Sequence, residues 1–229
     1  MARTALAIVQ QETSNPGRVG ERLRGLGYEW DIRCPNAGDR LPGTLDGFDG
    51  VVIFGGPMSA NDDGTLPGVR AQLDFLPTVF ESGTPTLGIC LGAQMLARAL
   101  GSAVKRHPLG FVEVGYHPII PTAEGATHFQ SPMMAYQWHR EGFDLPHGAT
   151  CLATGETFRN QAYRYGDSVF GIQFHPEVVR DTIDVWTRKA AEDLVLPGAQ
   201  PRDEQLRDFS RYDPAIDRWL DTFLGQVFR

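Results

Sequence analysis

The chain has 229 residues, and its 21 basic and 28 acidic side chains leave a formal net charge of −7. That length accommodates one large domain or two small ones, and 41% apolar against 21% charged residues excludes wholesale disorder. The acidic balance argues against a non-specific grip on nucleic acid or an anionic membrane, and the longest aliphatic run, Ala5–Val9, is too short to span a bilayer.

Met1 to Thr4 lead straight into that run without a signal core or a small-residue cleavage site, so a cytoplasmic location is expected. Thr4–Gln10 reads as a buried strand, Pro16–Leu26 as a helix and Tyr28–Arg33 as a second strand. Val51–Phe54, flanked by Gly50 and by Gly55-Gly56-Pro57, has the short continuous apolar character of a strand covered on both faces. Leu66–Glu81 is predicted helical with Pro67 in its first turn. Pro85–Ile89 is predicted as a strand and Leu91–Leu100 as a helix that stops at Gly101. Strand–helix alternation at this pitch predicts a doubly wound, mostly parallel α/β sheet with helices on both faces.

The second half has a different rhythm. Val112–Ile120, Met133–Trp138, Cys151–Glu156, Gln161–Tyr165 and Val169–Phe174 read as strands joined by short turns, hence antiparallel additions to the sheet. Helical spacing returns at Val179, Ile183, Trp186, Ala190 and Leu194. Leu196–Pro201 is the one clear linker, dividing a catalytic unit, 1–196, from a tail, 197–229. In that tail Asp213-Pro214 is predicted to open a final amphipathic helix carrying Ile216, Trp219, Leu220, Phe223, Leu224, Val227 and Phe228. Such a stripe must be covered, either by its own domain or by another chain.

Gly88-Ile89-Cys90-Leu91-Gly92 places a nucleophile between a buried strand and a helix. Small residues two positions either side let strand and helix approach, and the helix N-terminus behind the sulfur favours an anion. Taken alone, Cys90 reads equally well as a buried structural cysteine. Gly171-Ile-Gln-Phe-His175-Pro-Glu177 supplies a base and a carboxylate at the end of another strand, and a bend at Pro176 would let the two converge. Open α/β sheets build their sites at the carboxyl ends of strands, which is where both motifs fall.

These segments, in this order and with Gly55-Gly-Pro57 upstream, resemble the triad-type class I glutamine amidotransferases. The likeness is closest to the stand-alone proteins related to the amidotransferase part of GMP synthetase, and covers about Ala5–Trp186. The resemblance implies a flavodoxin-like core and hydrolysis of the glutamine side-chain amide. Cys90 would be the nucleophile, His175 the proton carrier and Glu177 its orienting partner. The backbone N–H groups of Gly56 and Leu91 would form the oxyanion hole. It further implies substrate contacts from Gln94, from Gly115 and Tyr116, and from Trp138 and His139. After that histidine the family tends to have a small residue and an aspartate, where this chain has Arg140-Glu141.

The remaining histidines show no metal-ligand spacing and the three cysteines form no CxxC pair, so neither a metal nor a disulfide framework is expected. No phosphate-loop motif accompanies the site, and no cofactor is expected. The implied partners are glutamine or a γ-glutamyl compound and a separate synthetase subunit that receives ammonia, with a homo-oligomer left open. A γ-glutamyl peptide hydrolase with the same triad and a catalytically silent scaffolding relative are the competing functions. An α/β-hydrolase is disfavoured, because its acid precedes the histidine whereas Glu177 follows it.

Overall fold

The computed structural model describes residues 3–228. Its strands are β1 (Arg3–Ile8), β2 (Tyr28–Arg33), β3 (Gly50–Ile53), β4 (Thr86–Ile89), β5 (Val104–Arg106), β6 (Glu113–Pro121), β7 (Met133–His139), β8 (Glu141–Phe143), β9 (Ala149–Thr154), β10 (Asn160–Tyr165) and β11 (Val169–Ile172). Its α-helices are α1 (Gly17–Gly25), α2 (Pro67–Ser82), α3 (Leu91–Ala99), α4 (Arg180–Lys189) and α5 (Arg202–Val227). None of the described helices is long and apolar enough to cross a membrane.

Nine strands form one sheet in the order β2-β1-β3-β4-β11-β10-β9-β6-β7, while β5 and β8 pair separately. The strands from β2 to β11 are mutually parallel, and those from β11 to β7 pair antiparallel. This is the expected doubly wound sheet with antiparallel additions. Period-two alternation divides its parallel half cleanly. Ala5, Ala7 and Val9 face a core shared with Val19 and Leu23 of α1 and the apolar stripe of α5. Leu6 and Ile8 face the other way, onto Phe75, Leu76 and Val79 of α2 and Met95 and Leu96 of α3.

The tail folds differently from the sequence expectation. The last helix begins at Arg202, eleven residues before Asp213, and Pro214 lies inside it. The first turns carry only Leu206, Phe209 and Tyr212 as apolar anchors, half-buried against Tyr116 and Tyr136, so their periodicity is faint. Asp203 and Glu204 in the first turn complement the helix dipole. Asp213 is not a cap: its carboxylate takes the buried Arg18 guanidinium at 2.7 Å, clamping α5 to α1. The stripe from Ile216 to Phe228 is covered by the chain's own sheet, with Leu220, Phe223 and Leu224 fully buried. The stripe is thus covered within the chain itself.

Two shorter departures follow from size. The predicted helical run through Leu194 breaks at Ala190 into a 3-10 turn, Ala191–Val195. β5 and β8 have three residues each, too few to show an alternating pattern.

Candidate active site

The topology brings together two segments far apart in sequence. β11 inserts beside β4 in parallel, with Ile172 opposite Ile89, so the residues that follow each strand emerge side by side. The Cys90 N–H donates to Ile172 O at 2.8 Å, extending that ladder to Cys90 itself.

Cys90 has φ 50° and ψ −107°, and it is the one non-glycine residue with positive φ among those described. Holding a non-glycine residue there costs about 1–3 kcal/mol, sustained only where the surroundings over-determine it. The surroundings do so through glycine. A Cβ on Gly88 would lie 2.6 Å from Leu96 Cδ1 and 2.7 Å from the Gly92 carbonyl carbon, and one on Gly92 would collide with the Ile53 carbonyl. Strand and helix are therefore in backbone contact on both sides of the cysteine. The first N–H of α3, that of Leu91, has no partner in the helix ladder.

His175 accepts its place from β7: its N–H donates to Tyr136 O at 2.8 Å, and its ring stands edge-on to Trp186 at 5.1 Å. Nδ1 lies 2.7 Å from Glu177 Oε1, which leaves Nε2 for the Cys90 thiol. Gly55 confirms the convergence, since a methyl there would meet His175 Cε1 at 2.7 Å and Cys90 Cβ at 3.3 Å. Burial disfavours charge on the imidazole, but Glu177 and the cysteine sulfur outweigh it and push its pKa up to about 10. The imidazole is thus hydrogen-bonded to the carboxylate and stands beside the cysteine. The carboxylate's Oε2 has no partner among the described residues.

Gly56 follows β3 in the loop facing this chain. A side chain there would run into Gln10, whose buried amide is held by Phe54 O and Gln72 at 3.3 and 2.8 Å. Gly56 is therefore held on the loop after β3 by close packing against Gln10.

The other predicted binding residues are placed less simply. Gln94 is buried, and its Nε2 donates to Glu141 O at 2.7 Å and Gln173 Oε1 at 3.2 Å, so its N–H groups are already engaged. Gly115 has φ 108° and lies against Gln200, which accepts from the Tyr116 N–H at 2.7 Å. The Tyr116 ring packs between Tyr136 and Tyr212. Trp138 brings its carbonyl to 3.9 Å from Cys90 Sγ, while its indole N–H donates to Asp193. His139 is buried with Nε2 at 3.0 Å from Glu113 and Nδ1 at 2.9 Å from Glu141 O. Burial pushes the Glu113 carboxyl up, but the hydrogen bond and charge of His139, aided by His117 and Gln161, hold it below its ordinary range. The side chain of His139 thus supports the wall, and the Trp138 carbonyl of β7 faces the sulfur.

Several members of the site went unrecognised in the sequence. Asp193 ties the rim by taking both Trp138 and Arg140. Ser59 Oγ donates to Glu141 Oε2 at 2.6 Å, which gives roles to both residues of the unusual Arg140-Glu141 pair. Gln173 lies beside Cys90, two positions before His175. The alternation Gln-x-His at the end of a strand was a signal for that last one, because residues i and i+2 share a face. Surface depressions of about 320 Å³ near His128 and about 580 Å³ beside the 35–43 loop involve none of these residues.

Comparison with known proteins bears on this geometry. Residues 12–185 match the class I glutamine amidotransferase family. A glutamine amidotransferase-like protein of Salmonella typhimurium is 32% identical over 195 residues, covering 82% of this chain and 81% of its own. A GMP synthase of Xanthomonas axonopodis pv. citri is 32% identical over 173 residues, which is 70% of this chain and 30% of the synthase. The chain thus spans under a third of the length of that larger relative. Crystal structures of glutamine amidotransferases from Thermotoga maritima and Methylobacillus flagellatus match with TM-scores of 0.89 each, at 27% and 26% identity. They cover 100% and 99% of this chain, and 99% and 94% of their own. With three quarters of its length inside the family match and its whole fold shared with two solved members, the chain belongs to the class I glutamine amidotransferases.

Proposed function

We propose that the chain hydrolyses the side-chain amide of glutamine through a γ-glutamyl thioester on Cys90, releasing ammonia for an acceptor. The observation that carries this reading is the convergence of Cys90, His175 and Glu177 at the carboxyl ends of β4 and β11. The Cys90 thiolate adds to the amide carbon. The resulting oxyanion is received by the N–H groups of Leu91 and Gly56, and loss of one such donor costs roughly 2.7–4 kcal/mol of barrier in other acyl-transfer enzymes. His175 Nε2–H gives its proton to the departing nitrogen, so ammonia leaves and the thioester remains. His175 then takes a proton from water, whose oxygen attacks the thioester and frees glutamate. The same proton returns to the sulfur, while Glu177 holds the ring throughout.

The ammonia acceptor would be a synthetase outside these 229 residues, as the partial overlap with GMP synthase suggests. An electrophilic glutamine analogue tests the reading: it should add to Cys90 and leave Cys34 and Cys151 unmodified. Cys90→Ala and His175→Ala should abolish ammonia release. Glu177→Ala should keep some, since in a serine protease losing the orienting acid cost almost a hundredfold less than losing either partner. Label on Cys34 or Cys151, or turnover by Cys90→Ala, would overturn it. Faster amine release from γ-glutamyl peptides than ammonia release from glutamine would transfer the same mechanism to a conjugate hydrolase.

A further inference from the structure

We infer that Gln173 is a fourth member of the catalytic centre, donating a hydrogen bond to the Cys90 sulfur that favours its thiolate. This rests on Cys90 being the nucleophile and adds a group that the triad does not contain.

Gln173 Nε2 lies 3.6 Å from Cys90 Sγ, within reach of an N–H···S hydrogen bond, and the side chain is completely buried. Its position is set by the sheet. Ile172 stands opposite Ile89, so Gln173 follows β11 directly beside Cys90, and its own N–H is anchored on Gln161 O at 2.8 Å.

The orientation of the amide follows from hydrogen-bond polarity. The Glu141 carbonyl can only accept, and Gln94 sits 2.7 Å from it, so Gln94 must turn its NH₂ that way. The same NH₂ reaches Gln173 Oε1 at 3.2 Å, which fixes the Gln173 oxygen on the Gln94 side. Nε2 is therefore the end that faces sulfur. Reversing Gln173 would set two donors against each other. Reversing both amides would set the Gln94 oxygen against the Glu141 carbonyl. A backbone oxygen thus determines, two side chains away, that the cysteine receives a donor.

The sulfur has contacts of opposite preference. The Trp138 carbonyl, 3.9 Å away, can accept from a thiol and is repelled by a thiolate. Gln173 and His175 both donate to a thiolate. Without Gln173, the imidazole would be the one side-chain donor left to oppose that carbonyl. A donor to a charged group is stronger than one to a neutral group, so the bond strengthens as the proton leaves sulfur. Gln94 is a positioning residue in this scheme, acting through Gln173.

The test uses the full chain, with Gln173→Met to remove the donor at similar size and Gln173→Glu to keep the shape while presenting oxygen to sulfur. Iodoacetamide alkylation of Cys90, followed by peptide mapping across pH, is read beside steady-state glutaminase kinetics and thermal melting. In Gln173→Met the half-maximal pH of alkylation should rise by about one unit and kcat should fall about tenfold, with KM within a factor of two. Gln173→Glu should move the alkylation profile further in the same direction. An unchanged profile in a folded variant overturns the proposal, as does a loss confined to melting temperature. If neither variant folds, Gln173 is a structural residue and the proposal is withdrawn. If the wild-type glutamine-analogue label misses Cys90, the failure lies with the nucleophile assignment instead.

Discussion

The turn that carries Cys90 and the wall that faces it are built by opposite means. The turn is a backbone object, in which Gly88 and Gly92 bring β4, α3 and β3 into contact and leave Cys90 one strained conformation. The wall from Trp138 to Glu141 is a side-chain object. It is held by Glu113 from β6, Asp193 from the 3-10 turn after α4, and Ser59 from the loop after β3. A site of this kind can keep its nucleophile geometry constant while its wall varies, because the two draw on different residues.

The largest effect that would sharpen this contrast comes from the wall. Glu113 takes His139, Gln161 and the Phe158 N–H in a fully buried setting. Glu113→Ala leaves His139 and the Gln161 amide without their acceptor, and breaking one side of a buried pair costs roughly 3–5 kcal/mol. Urea unfolding should report that loss. Glutaminase activity should fall too, because His139 shares the Glu141 carbonyl with Gln94. A loss below about 1 kcal/mol would mean that the buried cluster does not support the wall.

The turn answers to a smaller chemical change. Gly92→Ala adds one methyl, but it meets the Ile53 backbone, which cannot rotate away as a side chain could. Overpacking of this sort costs roughly 1–3 kcal/mol. The helix must shift to relieve it and carries Cys90 along, and a misplacement of about 1 Å can cost a hundredfold in rate. The expected pattern is a modest fall in stability with a severe fall in kcat. If kcat were retained, the turn would tolerate more freedom than its close contacts imply.

This division also explains what could be read from the sequence. Gly88, Cys90 and Gly92 lie within five residues, as do His175 and Glu177 within three, so short patterns sufficed to find them. The parallel half was equally legible, because buried strands and amphipathic helices there carry strong periodicity. The wall was not, since each support joins positions far apart: Ser59 with Glu141, Trp138 with Asp193, Glu113 with Gln161. Nothing local marks such partners. Asp213 misled for a related reason: beside Pro214 it reads as a helix start, but its partner, Arg18, lies 195 positions away.

The outermost support should give the smallest effect and the finest discrimination. Ser59 Oγ donates to Glu141 Oε2 and accepts from the Asn61 N–H at 3.1 Å, linking the loop that carries Gly56 to the start of β8, two residues beyond the strand that carries Trp138. Both residues are partly exposed, so in Ser59→Ala water can replace much of what the carboxylate loses. A net cost of about 1 kcal/mol is expected for such a bond, seen as a small shift in the urea midpoint. The kinetic consequence depends on which partner yields. If the Gly56 loop loosens, oxyanion stabilisation weakens and kcat falls a fewfold with KM unchanged. If the wall loosens instead, KM rises and kcat holds. Because Gly56 is braced from beneath by the buried Gln10, the expected outcome is the second. A pure kcat effect would place Ser59 with the turn rather than with the wall.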